Sequence, residues 1–382
     1  MDVGSSTLEK IRIRKTVMKI QSFNLFIYIV VSLLLSCTST ELKYKKGETF
    51  FKNEEFENAV KIESTETEKI ITTITDGGTA SSPQKIANQA NTQSQTHLQK
   101  KQIDSQKKSA RTSQNKASVL KSIKNEQTQK RQPELEDFEG FVAGSRRPQV
   151  DPFKIGEKVV HAVKYFSAEA GRLTLEVKPY AQVNNKKSYH FSIGLKSSRL
   201  FSNFYSVDDQ VDTFLDYETL VPYVLKINIK ETGKLAQAQS VFDHQKLNAK
   251  FWEKKYTTKN GEEEKKYEWD ILPFSQNAYS GLFYMRIFNW KVGKEISFYV
   301  AEDEKNIVFK GTAIAKETLE TEAGLFQAYK IKASILSRGA LTQTGDVYMW
   351  VSDDEHKYLL RIEAKIKIGS LVSEIVELRP GN

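Results

Sequence analysis

The chain has 382 residues, with 57 Lys or Arg against 48 Asp or Glu and a formal net charge of +9. Residues 98–133 hold ten basic and two acidic side chains, so almost all of the positive excess belongs to this one stretch. The one cysteine excludes an intramolecular disulfide and a cysteine-rich zinc site. Because this cysteine directly follows an apolar run near the N-terminus, no thiol nucleophile is left for a folded domain.

The N-terminus has the features of an export signal. Residues 25–35 are an almost unbroken apolar run, and the basic residues Arg12, Arg14, Lys15 and Lys19 precede it. The length fits the roughly 7–15 residues of a signal-peptide core and falls short of the about 20 residues that a membrane-spanning helix needs. We therefore predict a signal peptide whose basic flank stays in the cytoplasm.

The residues after this run resemble a lipobox, the processing motif of bacterial lipoproteins. The sequence is Leu34-Leu35-Ser36-Cys37, with a leucine three places before the cysteine and a small residue directly before it. The resemblance implies cleavage between Ser36 and Cys37, which makes residues 1–36 the signal peptide. It also implies that the Cys37 sulfur carries diacylglycerol, whose two chains are enough for stable membrane anchoring.

Two alternatives remain open at this end of the chain. An uncleaved signal anchor with an incidental cysteine would contain the same apolar run. Met18 would open a conventional signal by itself, which makes residues 1–17 an upstream extension. Thr38, rather than Asp, follows the cysteine. Under the sorting rule of enteric bacteria this residue favours the outer membrane over the inner one, with the protein facing the periplasm.

A short helix is expected within residues 37–63. Tyr44, Gly47, Phe51 and Phe56 are spaced like half of a tetratricopeptide unit. Such repeats need about three copies to bury a core, and no second copy is found. The pattern therefore favours a lone amphipathic helix or a coincidence.

Residues 64–137 have the composition of a linker. They are rich in Gln, Lys, Ser, Thr and Asn, and no aromatic residue occurs between Phe56 and Phe138. Low hydrophobicity with charge of one sign predicts disorder, and a coil of this length reaches about 45 Å, enough to hold a domain away from a membrane. Without interleaved aromatic residues we predict no nucleic-acid binding. Anionic lipid headgroups or cell-wall polymers are the expected contacts of the basic stretch.

Residues 138–382 are predicted to form a β-rich periplasmic domain. Apolar and polar side chains alternate with a period of two in many runs, among them 159–165, 173–177, 189–195, 225–229, 296–300, 329–335, 347–351 and 362–368. Alternation gives each strand one apolar and one polar face, which is typical of antiparallel sheets. We predict a mainly β fold, a large antiparallel curved sheet or an open barrel or sandwich, preceded by the disordered tether.

One segment of this domain has helical spacing instead. Within residues 273–290, apolar side chains recur at Tyr279, Leu282, Phe283 and Ile287. Such spacing places them on one face of a helix. We predict one short helix at about 273–290 that packs against the sheet or plugs an open end.

Several motifs of the domain resemble those of one bacterial family. They are PFKIGEKV at 152–159, GRLTLEV at 171–177, the helical segment at 279–286, GLFQAYK at 324–330, MWVSDDE at 349–355 and RIEA at 361–364. In order and spacing they resemble the periplasmic proteins known as domain of unknown function 3108, over about 152–378. The Lys- and Glu-rich stretch at 242–267 looks longer than in that family. The resemblance implies an exported β-rich domain and brings no reaction, cofactor or catalytic residue.

No motif of a known catalytic centre is found. His161, His190, His244 and His356 have no zinc-hydrolase spacing, and neither a Gly-x-Ser-x-Gly elbow nor a phosphate-binding loop occurs. We therefore predict no metal and no other cofactor, and we lean against an enzyme. A glycosidase-type pair of carboxylates remains an alternative, and its candidates are Asp208, Asp209, Asp212, Asp216 and Glu218.

The favoured function is binding. A lipid-anchored β domain would hold an apolar ligand or a protein partner in the periplasm, with Tyr284, Arg286 and Trp350 as candidate ligand-binding residues. Arg286 would either anchor an anionic ligand or pair with an acid on the sheet, and both readings stay open. The alternatives are a hydrolase of envelope glycans or peptidoglycan and an assembly or scaffold factor of an envelope complex.

Overall fold

The computed structural model describes residues 52–64, 137–337, 340–341, 346–366 and 369–382. The signal peptide, its cleavage site at Ser36 and Cys37, the lipidation of Cys37 and the disorder of the basic linker lie outside these residues and stay predictions. No helix in the described part of the chain combines the length and the apolar character that crossing a membrane would take.

The described residues form two short helices and sixteen strands. The helices are α1 (Glu54–Ala59) and α2 (Ala278–Tyr284). The strands are β1 (Ile62–Ser64), β2 (Lys158–Tyr165), β3 (Ala168–Val183), β4 (Lys186–Ser197), β5 (Asp208–Asp216), β6 (Pro222–Glu231), β7 (Lys234–Asp243), β8 (Asn248–Thr257), β9 (Gly261–Asp270), β10 (Glu295–Glu302), β11 (Lys305–Thr321), β12 (Gly324–Ser337), β13 (Ala340–Leu341), β14 (Val347–Ser352), β15 (Leu359–Ile366) and β16 (Gly369–Arg379).

All named strands belong to one antiparallel sheet. From β2 the chain meanders outward to one edge at β9, passes through α2 to the other edge at β10, and meanders back to β16. β16 then pairs with β2 in the middle of the sheet, with Leu371 opposite Tyr165. The predicted fold class is confirmed: the sheet is large, antiparallel and curved, and it is not closed. The predicted short helix of this domain corresponds to α2.

The inner face of the sheet carries the main core. Alternate residues of each strand point inward, for example Leu173, Leu175 and Val177 of β3, and they surround α2. The Phe283 ring of α2 stacks on Phe191 of β4 with ring centroids 4.2 Å apart. α2 and the turn that follows it fill most of the space that the curved sheet encloses, so the interior is packed rather than hollow.

Helix α2 is shorter than the predicted 273–290. It begins after Asn277, whose side chain accepts hydrogen bonds from the backbone N–H groups of Tyr279 and Ser280. The Ser280 hydroxyl accepts from the N–H of Asn277, which completes a capping box. The helix ends in a single 3-10 turn, Met285–Ile287. The cap therefore starts the helix at Ala278, five residues later than Pro273.

Residues 53–64, which we call the strap, pack on the same domain. Phe56 of α1 meets Trp252 of β8 edge to face at 6.2 Å between ring centroids, on the face of the sheet opposite α2. The Trp252 indole N–H donates to Glu55 Oε2 at 3.0 Å. β1 pairs with the end of β3, where Ile62 lies opposite Val183. The strap thus joins the sheet through a strand pairing and a small second core.

The strap bears on the length of chain between the predicted anchor and the domain. Residues 52–64 and residues from 137 onward belong to one compact unit. Fourteen residues, 38–51, separate Cys37 from the first described residue. With a lipid on Cys37, as predicted, these fourteen residues would set how far the domain can stand from the membrane.

Candidate functional site

A small apolar pocket lies at the end of the sheet where the β2–β3 turn and the β4–β5 loop meet. We call it the mouth pocket. It has a volume of about 40 Å³. Its apolar wall comes from inward-facing residues of six strands, Val163, Leu173, Ile193, Val211, Ile362 and Leu371. Alternation along each strand explains this wall, because every second residue of a half-buried strand points inward.

Asp209 of β5 brings a carboxylate into this apolar wall. Its side chain is buried, and Oδ1 accepts a hydrogen bond from the Lys230 N–H at 2.9 Å. Oδ2 is buried and has no hydrogen-bond partner among the described residues. Burial, reinforced by the nearby charge of Glu231, raises the pKa of Asp209 to about 7. Asp209 is therefore poised to be protonated near neutral pH and to donate a hydrogen bond.

Tyr279 of α2 forms the floor of the pocket. The Asn277 cap places it in the first turn of the helix, and only 5% of the residue is exposed. Its hydroxyl is buried and has no hydrogen-bond partner among the described residues. Burial raises the pKa of Tyr279 well above its usual value, so the hydroxyl stays protonated. Tyr279 and Asp209 thus both line one apolar pocket, and each has a buried side-chain oxygen without a hydrogen-bond partner among the described residues.

A second pair of polar residues at the pocket, Ser373 and His161, has its hydrogen bonds satisfied within the protein. Ser373 of β16 lines the wall and lies 3.1 Å from His161 Nδ1, while His161 Nε2 lies 2.9 Å from the Leu359 carbonyl oxygen. Because a carbonyl only accepts, Nε2 carries the proton and Nδ1 accepts from the Ser373 hydroxyl. Burial lowers the pKa of His161 to about 4. His161 is therefore a neutral core residue. Within the described ranges no cluster of His, Cys, Asp and Glu is suited to hold a metal.

Large exposed apolar side chains stand on the turn and the loop at this end of the sheet. Phe166 in the β2–β3 turn is 70% exposed, and Leu200 and Phe204 in the β4–β5 loop are 80% and 78% exposed. We call these three residues the rim. The loop and the turn are neighbours, because Ser198 N donates to the Ala170 carbonyl at 2.8 Å. A narrow apolar space lined by Val163, Leu195 and Val207 continues the pocket toward this loop.

The three residues predicted to bind ligand do not share this pocket. Tyr284 is fully buried in the core, and its hydroxyl accepts a short hydrogen bond from Arg146. Arg286 forms a buried ion pair with Glu157, which directly precedes β2. Trp350 is buried and donates from its indole N–H to Glu317 Oε1 at 2.6 Å. Their assignment as ligand-binding residues stays a prediction. For Arg286 the observed pairing corresponds to the alternative in which it meets an acid.

The five candidate carboxylates are dispersed. Asp208 is exposed, and Asp212 pairs with His190 at 2.9 Å. Asp216 accepts hydrogen bonds from Thr219 in the β5–β6 turn and from Tyr223 near the start of β6. Glu218 lies in the same turn, where its N–H donates to Asp216. Asp209 is thus the one member of the five that lines the mouth pocket. The pair that a glycosidase mechanism requires is not formed there by these residues.

A larger cleft of about 340 Å³ lies near β12 and β14. Its lining is charged and mostly paired: Lys291 meets Glu139 at 2.5 Å, and Lys316 pairs with Asp353. Asp354 accepts from the backbone of His356 and Lys357. These groups satisfy one another, so the cleft lacks the unsatisfied buried atoms that distinguish the mouth pocket.

Sequence comparison assigns the fold to a family. A family model described as Protein of unknown function (DUF3108) matches residues 160–376, more than half of the chain. The chain belongs to the DUF3108 family. The motifs at 152–159 through 361–364 had indicated this membership, and it is confirmed. All lining residues of the mouth pocket lie within the matched region, so the pocket is built on the DUF3108 core. No curated protein sequence matches the chain.

Solved structures similar to this DUF3108 protein share low sequence identity with it. One is a beta-barrel-like protein of domain of unknown function DUF1849 from Brucella abortus, with 9% identity and a TM-score of 0.38, covering 60% of this chain and 99% of that one. Another, from Bacteroides fragilis, is provisionally described as an exported protein with a YmcC-like fold (9% identity, TM-score 0.28). A third, from Parabacteroides distasonis, is provisionally described as a lipoprotein (11% identity, TM-score 0.28). Each of the last two covers 60% of this chain and 99% of its own.

Sequence reasoning missed the mouth pocket, although one signal was available. Asp209 interrupts the inward-facing series of β5, between Val207 and Val211, where an apolar residue is expected. A carboxylate at an inward position of an amphipathic strand indicates a buried polar site. The partner, Tyr279, is 70 residues away and could be assigned only from the tertiary structure.

Proposed function

We propose that this protein is a lipid-anchored binding protein of the bacterial cell envelope, facing the periplasm, that holds a single-chain amphiphile at the mouth pocket. The head group, a hydroxyl or carboxylic acid, would bind Tyr279 and Asp209. The chain would run out past Val163 and Leu195 to the rim. The outer membrane is the favoured location, because Thr38 follows the lipidated Cys37.

One observation carries this proposal: Asp209 and Tyr279, which both line an apolar pocket, each have a buried side-chain oxygen without a hydrogen-bond partner among the described residues. Exposed apolar side chains stand on the turn and the loop at the same end of the sheet. Unsatisfied groups in an apolar surrounding cost about 1–3 kcal/mol each, and a bound head group would recover that cost. The pocket itself has room for a head group and not for a whole chain, since sites for drug-sized ligands are about 300–1,000 Å³. The remaining chain must therefore lie along the rim.

The test is binding of dansyl-labelled undecanoic acid and its displacement by dodecanol. The protein is the chain 37–382 with Cys37→Ser, which keeps every described residue. Tyr279→Phe removes only the hydroxyl and is expected to weaken binding about fivefold to tenfold. Tyr358→Phe is the matched control, because the Tyr358 hydroxyl is also buried without a partner but lies outside the pocket.

Equal weakening by both variants, or no binding by the parent chain, would refute the amphiphile site. In that case a protein partner, as in an assembly factor of an envelope complex, becomes the better reading of the exposed rim. Crosslinking from the rim in intact cells, followed by mass spectrometry, would then identify that partner.

A further inference from the structure

We propose that the rim docks on the anionic lipid surface of the membrane that holds the N-terminus. Phe166, Leu200 and Phe204 would insert into the interface between headgroups and acyl chains. The inference rests on the proposed function in one respect, because docking would place the mouth pocket where an amphiphile can pass directly between membrane and protein.

The shape of the rim suits a lipid surface. Its three large apolar side chains are each at least 70% exposed and stand on two adjacent loop tips at one end of the sheet. Large apolar side chains this exposed and this close together are unusual on a monomer surface. Protruding tips can enter a membrane interface separately, whereas a protein partner would have to supply a pocket for each.

The backbone at Phe166 gives an independent reason. Phe166 and Ser167 both have positive φ angles, 46° and 66°, in the two-residue β2–β3 turn. The corresponding β3–β4 turn uses Asn184 and Asn185, residues that tolerate this conformation. A two-residue turn of this kind requires positive φ at both residues, and a bulky aromatic residue there is strained. Placing Phe166 there holds its exposed ring at the tip of the turn.

Cations at the rim fit an anionic surface. Arg199, next to Leu200 in the chain, is exposed. The Lys196 side chain is 74% exposed, and its nearest acid, Asp208, is 3.7 Å away and itself exposed. Each Lys or Arg near an anionic membrane strengthens binding about fivefold, and salt weakens the effect.

The length of chain between anchor and strap allows this contact. Lys52, where the described part begins, is fifteen residues after Cys37. A fully extended chain of that length spans at most about 50 Å. The end of this segment is fixed to the sheet at Asn53 of the strap, whose side-chain N–H donates to Gln239 of β7 at 2.9 Å. A lipid on Cys37 would therefore keep Asn53 within about 50 Å of the membrane surface.

The experiment uses residues 37–382 with Cys37→Ser and an N-terminal hexahistidine tag in place of the lipid, held on vesicles that contain a nickel-chelating lipid. This variant has no thiol, so Phe204→Cys introduces a single site for an environment-sensitive NBD label. Val150→Cys is the matched control, because Val150 is 51% exposed and its neighbour Asp151 accepts a hydrogen bond from Tyr189 of β4, near the β3–β4 turn at the other end of the sheet.

In phosphatidylglycerol vesicles the label at position 204 should shift to the blue and be quenched by spin-labelled lipid, while the label at 150 should report water. Phosphatidylcholine vesicles, or Lys196→Gln with Arg199→Gln, should reduce the quenched fraction at least about fivefold. Phe166→Asn should reduce that fraction and also raise the urea midpoint of unfolding, since Asn fits the left-handed turn better than Phe.

Two results would overturn the inference. One is a label at 204 that reports water in every vesicle. The other is a blue shift that disappears when fewer protein molecules are placed on each vesicle, with the fraction of labelled protein kept constant. Such a dependence on protein density would mean that the rim contacts a second copy of the chain rather than lipid. If the rim fails to dock but the Tyr279→Phe comparison holds in solution, the binding function stands and only the membrane contact is lost.

Discussion

Arg286 and Glu157 form a bidentate ion pair inside the protein, with Nη1–Oε1 at 2.7 Å and Nη2–Oε2 at 2.9 Å. Both side chains are at most 3% exposed, and Arg286 also donates to the carbonyl oxygens of Pro152 and His356. The pair joins the turn after α2 to the residue that precedes β2. It therefore fixes α2 and the turn that follows it, which fill the interior, to β2 in the centre of the sheet.

Removing one partner of this pair should be strongly destabilising. Arg286→Met leaves the Glu157 carboxylate buried without a counter-ion, and we expect a loss of about 3–5 kcal/mol in the free energy of unfolding. Urea denaturation followed by tryptophan fluorescence measures it. Lys250→Met is the control, because it breaks the exposed pair with Glu268 (side chains 46% and 47% exposed) and should cost less than about 1 kcal/mol. Similar losses for both variants would contradict the structural role of Arg286.

Asp209 should make stability fall as pH rises. The pKa of Asp209 is about 7 in the folded protein and about 3.9 in an unfolded chain, so between these values the folded state binds more protons. Its contribution is favourable below pH 4 and is lost as pH rises through about 7. Asp209→Asn cannot ionise and should gain stability over the parent between pH 5 and pH 8, on the order of 2 kcal/mol. Parallel stability curves for the two proteins would disprove the assignment.

The strap should be part of the cooperative fold. Phe56 is 3% exposed and packs on Trp252, so Phe56→Ala should lower the free energy of unfolding by about 3 kcal/mol. It should also expose residues 52–64 to limited proteolysis. Phe166→Ala, at a ring that is 70% exposed, serves as the control and should leave the strap protected. If Phe56→Ala changes neither quantity, the strap is not docked on the sheet. Residues 38–51 would then no longer set the distance between the domain and the membrane.

Cys37 should carry the membrane anchor. Intact mass of the native protein is expected to give a chain that begins at residue 37 with diacylglycerol attached, and membrane fractionation should recover it in the pellet. Cys37→Ala should keep its N-terminal segment and lose the lipid mass. A native chain with an unmodified Cys37 and an intact N-terminus would show a signal anchor instead, and the compartment would have to be reconsidered.

The sequence by itself determined the class of the fold and the family. Period-two alternation in runs such as 173–177 and 189–195 follows directly from strand geometry, because each strand buries one face. Helical spacing at Tyr279, Leu282 and Phe283 predicted the one helix of the interior, although the Asn277 cap set its start. Motifs at 152–159 and 349–355 identified the DUF3108 family because they preserve local order and spacing.

Only the tertiary structure decided the site and the route of the chain. Asp209 and Tyr279 meet because α2 is enclosed by the sheet, and their buried atoms are unsatisfied only in that packing. Phe56 reaches Trp252 across 196 residues of sequence, so local pattern could not reveal that the strap docks. Local sequence specifies which face of a strand or helix is apolar, whereas the partner that covers the face is chosen by the global packing of the chain.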